Sequence, residues 1–188
     1  FREKAPLASR PEMFVDETGE YSRSVQANTH VAVGVPGTVA GFALAHERYG
    51  SYDWAGLVAP AVALAEDGIV LSEELARSLE GQVTGSMSRY PASVGAFSMN
   101  GTPYEAGDVW RQPDLARTLS RIMRDGRDGF YQGETARLIA EERRRGGGLI
   151  TEEDLALYQA VEREPIRATF RGYEVISMPP PSSRTESI

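Results

Sequence analysis

Along most of the chain apolar positions recur every three or four residues, the repeat of an α-helix with one covered face. The stretch VGVPGTVAGFALAHERYG, residues 33–50, reads as a turn at Pro36 and Gly37, then a helix with Val39, Phe42, Ala43, His46 and Tyr49 on one stripe, stopped by Gly50. DWAGLVAPAVALAEDGI, 53–69, predicts a second helix, with a kink or junction at Pro60 and a C-terminal cap at Gly68. SEELARSLEG, 72–81, opens with a serine that can accept from free amides and two glutamates that suit the positive end of the helix dipole. Residues 84–109 are crowded with Gly, Ser, Pro and Tyr and hold no period, which predicts loop with a short hairpin at Asn100 and Gly101.

Helix returns over 112–126, with Pro113 at the first helical position and Leu115, Leu119 and Ile122 as the buried stripe. It returns again over 133–148, where Arg143, Arg144 and Arg145 read as a solvated helix end suited to the dipole. Thr151 and Asp154 have the spacing of a variant capping box at the head of a short helix, TEEDLALY, 151–158. Strand character begins only at about Arg167, in FRGYEVISM. The pattern predicts a mainly α fold with a few strands, in a single unit over residues 1–188.

Composition narrows the function by exclusion. Asp and Glu number 27 against 20 Lys and Arg, a formal charge of -7, and no basic patch is large enough for a row of phosphates, which argues against nucleic acid as a partner. No apolar run approaches the roughly 18 residues that read as a membrane span. The absence of cysteine excludes disulfides and thiolate metal sites, and His30 and His46 are too few for a histidine-rich one, while carboxylate-bound metals stay open. No metal or cofactor is expected.

The candidate chemistry is thin. Gly34, Gly37 and Gly41 match neither a dinucleotide fingerprint nor a P-loop and read as close helix packing. His46 lies on an apolar stripe and reads as a hydrogen-bonded core or boundary histidine rather than a general base. The acidic residues lack the paired spacing of a glycosidase, and Ser182 and Ser183 lack a neighbouring base. The residues alone show no catalytic constellation.

Six segments add a resemblance. FREKAP (1–6), VGVPGTVAGFALAHERYG (33–50), PAVALAEDGI (60–69), GFYQGETARLIA (129–140), GGLITEEDLALY (147–158) and RGYEVISMPPPSS (171–183) resemble, in this order, successive segments of the large subunit of gamma-glutamyltranspeptidases. Each is weak alone; the ordered set is specific.

The resemblance implies the helical portion of an αββα sandwich of the N-terminal-nucleophile hydrolases, made as a precursor that cuts itself into large and small subunits. It implies transfer of the γ-glutamyl group of glutathione or a related amide to an amino acid, a peptide or water. The acyl-enzyme forms on a threonine that begins the small subunit, which this chain does not contain; Thr38, Thr102 and Thr151 sit in turn or cap contexts. Arg184 and Thr185 stand where relatives have two glycines, so the chain is expected to be an internal fragment with a divergent or foreign tail at 184–188. Its expected partners are the rest of the large subunit, the small subunit and a γ-glutamyl substrate, and the family suggests a periplasmic or extracellular setting.

One site residue carries over. The arginine of the family's FRE segment, which holds the α-carboxylate of the glutamyl group, corresponds to Arg2. A planar guanidinium can pair bidentately with a carboxylate and fix its orientation, which suits that role. The alternative reading from a different class is a non-catalytic helical binding module derived from the same fold.

Overall fold

The computed structural model describes residues 3–179, and helix dominates them. The elements are α1 (Arg23–Asn28), α2 (Thr38–Tyr49), α3 (Trp54–Asp67), β1 (Ile69–Val70), α4 (Glu73–Thr84), α5 (Pro91–Phe97), β2 (Val109–Trp110), α6 (Pro113–Asp125), α7 (Asp128–Tyr131), α8 (Gly133–Arg145), α9 (Glu152–Ala156), β3 (Ile166–Phe170) and β4 (Tyr173–Ser177). Two 3-10 turns, Pro11–Phe14 and His30–Ala32, lie in the opening segment.

Local chemistry sets most boundaries. Asp53, Ser72 and Thr151 each accept a bond from a first-turn amide of α3, α4 and α9, and Pro91 and Pro113 start α5 and α6 where a missing N–H costs nothing. The junction expected at Pro60 is not there, because α3 runs through it. Pro60 and Gly56, whose carbonyl a Pro60 amide would have met, are both exposed, so water can take that carbonyl.

Two apolar clusters form the core. One gathers Val35, Ala40, Tyr131, Ala136, Ile150, Leu155 and Tyr158, and so joins the entry to α2 with α7, α8 and α9. The other holds Leu71, Ala76 and Leu79, with Phe97, Tyr104 and Trp110 packed against it. α3 packs along α6, and the Trp54 indole donates to the Ile122 carbonyl at 2.8 Å.

The expected stripes hold in part: Val39 packs against the first cluster and Ile122 is buried, but their other bulky members are not. Ala40 is the buried residue of α2, while Phe42 and Tyr49 are 58% and 75% exposed; in α6 Ala116 and Ile122 are buried and Leu115 is exposed. Small residues such as Ala40 and Ala116 permit close approach of the backbones, while Phe42, Tyr49 and Leu115 face outward.

The region expected as loop over 84–109 also differs. It contains α5, and β2 pairs antiparallel with β1, Ile69 opposite Trp110 and Val70 opposite Val109. α5 has seven residues, too few for a period to register. The hairpin at Asn100 and Gly101 is present: Met99 and Thr102 exchange bonds of 2.8 and 3.0 Å, and φ values of 54° and 91° at the two turn residues are those of a type I′ turn. Ser98, buried below it, donates to Val94 O and accepts from Gly101 N, tying α5 to the turn.

β3 and β4 form an antiparallel hairpin, with Ile166 opposite Ser177 at the open end and Phe170 opposite Tyr173 at the turn. Phe170, Tyr173, Ile176 and Met178 are exposed on it, as are Leu57 and Leu64 on α3. A two-stranded hairpin is marginal by itself in water.

Candidate functional site

Arg2, Ser182, Ser183, Arg184 and Thr185 lie outside the described residues. The segment that follows Arg2 in the sequence is described from Glu3 onward.

Three contacts fix residues 3–7. Lys4 and Val35 pair as an antiparallel bridge, Val35 N donating to Lys4 O at 2.8 Å and Lys4 N to Val35 O at 3.2 Å. Gly34 makes room beside it, since a Cβ there would come 3.0 Å from Glu3 Cβ. Gly34 thus packs against an extended segment and not against a helix, which corrects the packing expected for it.

The third contact is with Asp154. Leu7 N donates to Asp154 Oδ1 at 2.6 Å across 147 residues of sequence. The other oxygen, Oδ2, accepts from Thr151 N at 2.8 Å and from Thr151 Oγ1 at 2.7 Å, and Asp154 N donates back to Thr151 Oγ1 at 3.2 Å. The capping box read from the sequence is present, with a long-range bond added to it. Asp154 is only 6% exposed. Burial would push its carboxyl up, but the Leu7 amide, the Thr151 hydroxyl and amide, and the nearby Lys4 charge together hold it below the ordinary carboxylate range.

Next to this junction, the PGT turn enters α2 with Gly37 at the N-cap, a residue without a side chain to satisfy the first amides. Tyr131 of α7 fills that role from a distance. Its hydroxyl donates to Pro36 O at 2.7 Å and accepts from Ala40 N at 3.3 Å. Its fully buried ring stacks on Tyr158, with centroids 5.5 Å apart and planes at 8°, and meets Phe130 edge-on. Burial pushes the Tyr131 hydroxyl up, so it stays protonated and able to donate. Arg127 stands over the same ring at 4.8 Å and donates to the carbonyls of Tyr158 and Ala156, closing the C-terminal end of α9.

The remaining candidates are structural. The His46 imidazole donates from Nε2 to the Tyr52 carbonyl at 2.7 Å and meets Trp54 edge-on at 5.3 Å, a boundary histidine. Arg145 pairs with Glu142 in an exposed ion pair, as expected for a solvated helix end. Thr151 is a cap and Thr38 begins α2. No helix among the described residues is long and apolar enough to cross a membrane. Nothing in the local periodicity marks Tyr131 or Arg127, since α7 has only four residues and their partners lie far off in sequence.

The comparisons with known proteins bear on this arrangement. The family model described as Gamma-glutamyltranspeptidase matches residues 1–185. The glutathione hydrolase proenzyme of Escherichia coli is 44% identical over 183 residues, 97% of this chain and 32% of that protein. Among solved structures, the gamma-glutamyltranspeptidase of Helicobacter pylori superimposes with a TM-score of 0.92 at 40% identity, covering 98% of this chain and 53% of that one. The cephalosporin acylase of Bacillus halodurans gives a TM-score of 0.79 at 28% identity, covering 95% of this chain and 34% of that one. The chain spans about a third of the length of the curated relatives it matches.

Proposed function

The chain belongs to the gamma-glutamyltranspeptidase family, and on that premise we propose that it is one part of an enzyme that moves a γ-glutamyl group from glutathione or a related amide to an amino acid, a peptide or water. Its fold is the helical portion of the αββα sandwich of N-terminal-nucleophile hydrolases. The observation that carries the reading is the extent of the family match, which runs through almost all of the chain and not over one motif. No observation favours the non-catalytic module.

In this proposal the acyl-enzyme forms on a threonine supplied outside this chain. Such a hydroxyl attacks the γ-carbonyl, the amine of the donor leaves, and an acceptor amine or water then takes the acyl group. The chain contributes the helical layer, as a single unit, and one binding group. Arg2 holds the donor's α-carboxylate, a charge-assisted pair that fixes which end of the glutamyl moiety points towards the nucleophile. The exposed apolar residues of the β3–β4 hairpin and of α3 suit contact with the remaining large-subunit segments and the small subunit, since neither surface is complete alone.

Replacing Arg2 by alanine in the whole protein tests the clamp. Loss of a charged hydrogen bond is about 1.5–3 kcal/mol, roughly ten- to hundredfold in kcat/KM. A donor whose α-carboxyl is amidated should be handled almost equally by both proteins. Equal loss on both donors would mean that Arg2 serves folding or self-cleavage instead.

A further inference from the structure

We propose that Asp154 is a positioning residue for substrate binding: its carboxylate fixes, through the Leu7 amide, the segment that carries Arg2. The inference rests on the clamp reading of Arg2 given above.

The geometry separates two jobs within one carboxylate. A capping box is complete with a single oxygen, and Asp154 Oδ2 already accepts both Thr151 bonds. Oδ1 is not needed by α9. It is spent on Leu7 N, at 2.6 Å, the shorter of the backbone bonds that Asp154 accepts. Because the group is buried, water cannot stand in for either partner, and a broken link would leave an amide or a carboxylate oxygen uncompensated.

Leu7 and the Lys4–Val35 bridge are backbone anchors on either side of Ala5 and Pro6. The bridge alone sets a point but leaves the chain free to turn about it; a second anchor three residues on sets the direction. Arg2 precedes the bridge by two residues, and a bidentate guanidinium needs to be held within about 0.5 Å and 10–20° to recognise a carboxylate. Helix α9 is itself seated by Leu155 in the buried core and by Arg127 at its end, so Asp154 transmits the position of a rigid element.

The test uses the whole protein and two donors, a γ-glutamyl anilide with a free α-carboxylate and its α-amide. Asp154→Asn should raise KM for the carboxylate donor about three- to tenfold with kcat within about twofold, and leave the amide donor unchanged. In an Arg2→Ala background the same substitution should add less than about twofold, since the two residues act through one contact. Asp154→Glu, which keeps the charge but lengthens the arm, should show the same donor-selective rise and serves if the asparagine variant does not fold. Trp54→Phe, which loses the bond to Ile122 on the α3–α6 side, is the control: lower thermal stability with an unchanged donor ratio.

Hydrogen exchange supplies a readout apart from catalysis. Amides of residues 3–7 should exchange faster in Asp154→Asn and not in Trp54→Phe. If Arg2→Ala is donor-selective while the Asp154 variants slow both donors alike, or add fully to Arg2→Ala, the positioning role is wrong and the clamp stands. If Arg2→Ala itself is unselective the clamp fails, and unaltered exchange at residues 3–7 would show separately that Asp154 does not hold the segment.

Discussion

Removing one oxygen atom, by Tyr131→Phe, should destabilise the protein measurably without changing its fold. The ring remains, and with it the stacking on Tyr158 and the contact with Arg127. What is lost is the side-chain cap that Tyr131 gives α2: the 2.7 Å donation to Pro36 O and the weaker 3.3 Å bond from Ala40 N. A buried polar group left without its partner costs about 1–3 kcal/mol. Taking the strong bond near the middle of that range and the long one below it gives about 2–3 kcal/mol. For a chain of this size each kcal/mol is about 2–4 °C in Tm, so the expected drop is roughly 4–12 °C by circular dichroism at 222 nm. Tyr49→Phe, which removes an exposed hydroxyl bonded to Glu162, should shift Tm by less than about 2 °C. Amide exchange should accelerate at Ala40 in particular. A Tyr131→Phe protein with the parent Tm and a still-protected Ala40 amide would refute the idea that α2 is capped from α7.

Asp154 predicts a pH dependence. Its carboxyl titrates lower in the folded than in the unfolded chain, so its stabilising effect is complete above the unfolded value, about 3.9, and is lost as pH falls through the folded one. The Tm difference between the parent and Asp154→Asn should therefore be full at pH 6 and shrink below about pH 4; a gap independent of pH down to 2 would contradict it. Gly129→Ala should cost more than Gly146→Ala, because a Cβ at Gly129 would strike the Arg121 backbone carbonyl whereas one at Gly146 meets the side chain of His30 and not backbone. Overpacking of this kind is typically about 1–3 kcal/mol, and urea midpoints for the two variants in the opposite order would overturn the assignment. The chain by itself should release no amine from a γ-glutamyl anilide above a buffer blank, and release by pure material would sink the proposal that the nucleophile lies elsewhere.

Helix was legible where local chemistry and period agreed. Ser72 and its two glutamates, Pro113, and the Thr151–Asp154 pair marked starts that the structure keeps, and Asn100–Gly101 marked its turn. What escaped depended on partners far away in sequence. The face that α2 buries follows from Tyr131 reaching Ala40, and no periodicity within 33–50 contains that tyrosine. α7 is four residues long and β1 and β2 two each, below the length at which a repeat can be read. The capping box was visible as spacing, but only one oxygen of Asp154 was implied; the bond to Leu7 has no local signature. Of the proposed site, Arg2 rests on resemblance alone, and the long-range contacts of residues 3–7 have no local signature in the sequence.

The reach of the Asp154 bond also bears on how the protein is made. Nascent chains grow at about 5–20 residues per second, so the 147 residues between Leu7 and Asp154 take roughly 7–30 s to appear. Val35 follows Lys4 by about 2–6 s on the same scale. The opening segment can therefore settle on Val35 early, yet its second anchor waits until nearly all the helices are out. Any agent that captures residues 3–9 during that interval competes with Asp154 for the Leu7 amide, which makes the last-formed contact of this region one of its first points of failure during synthesis.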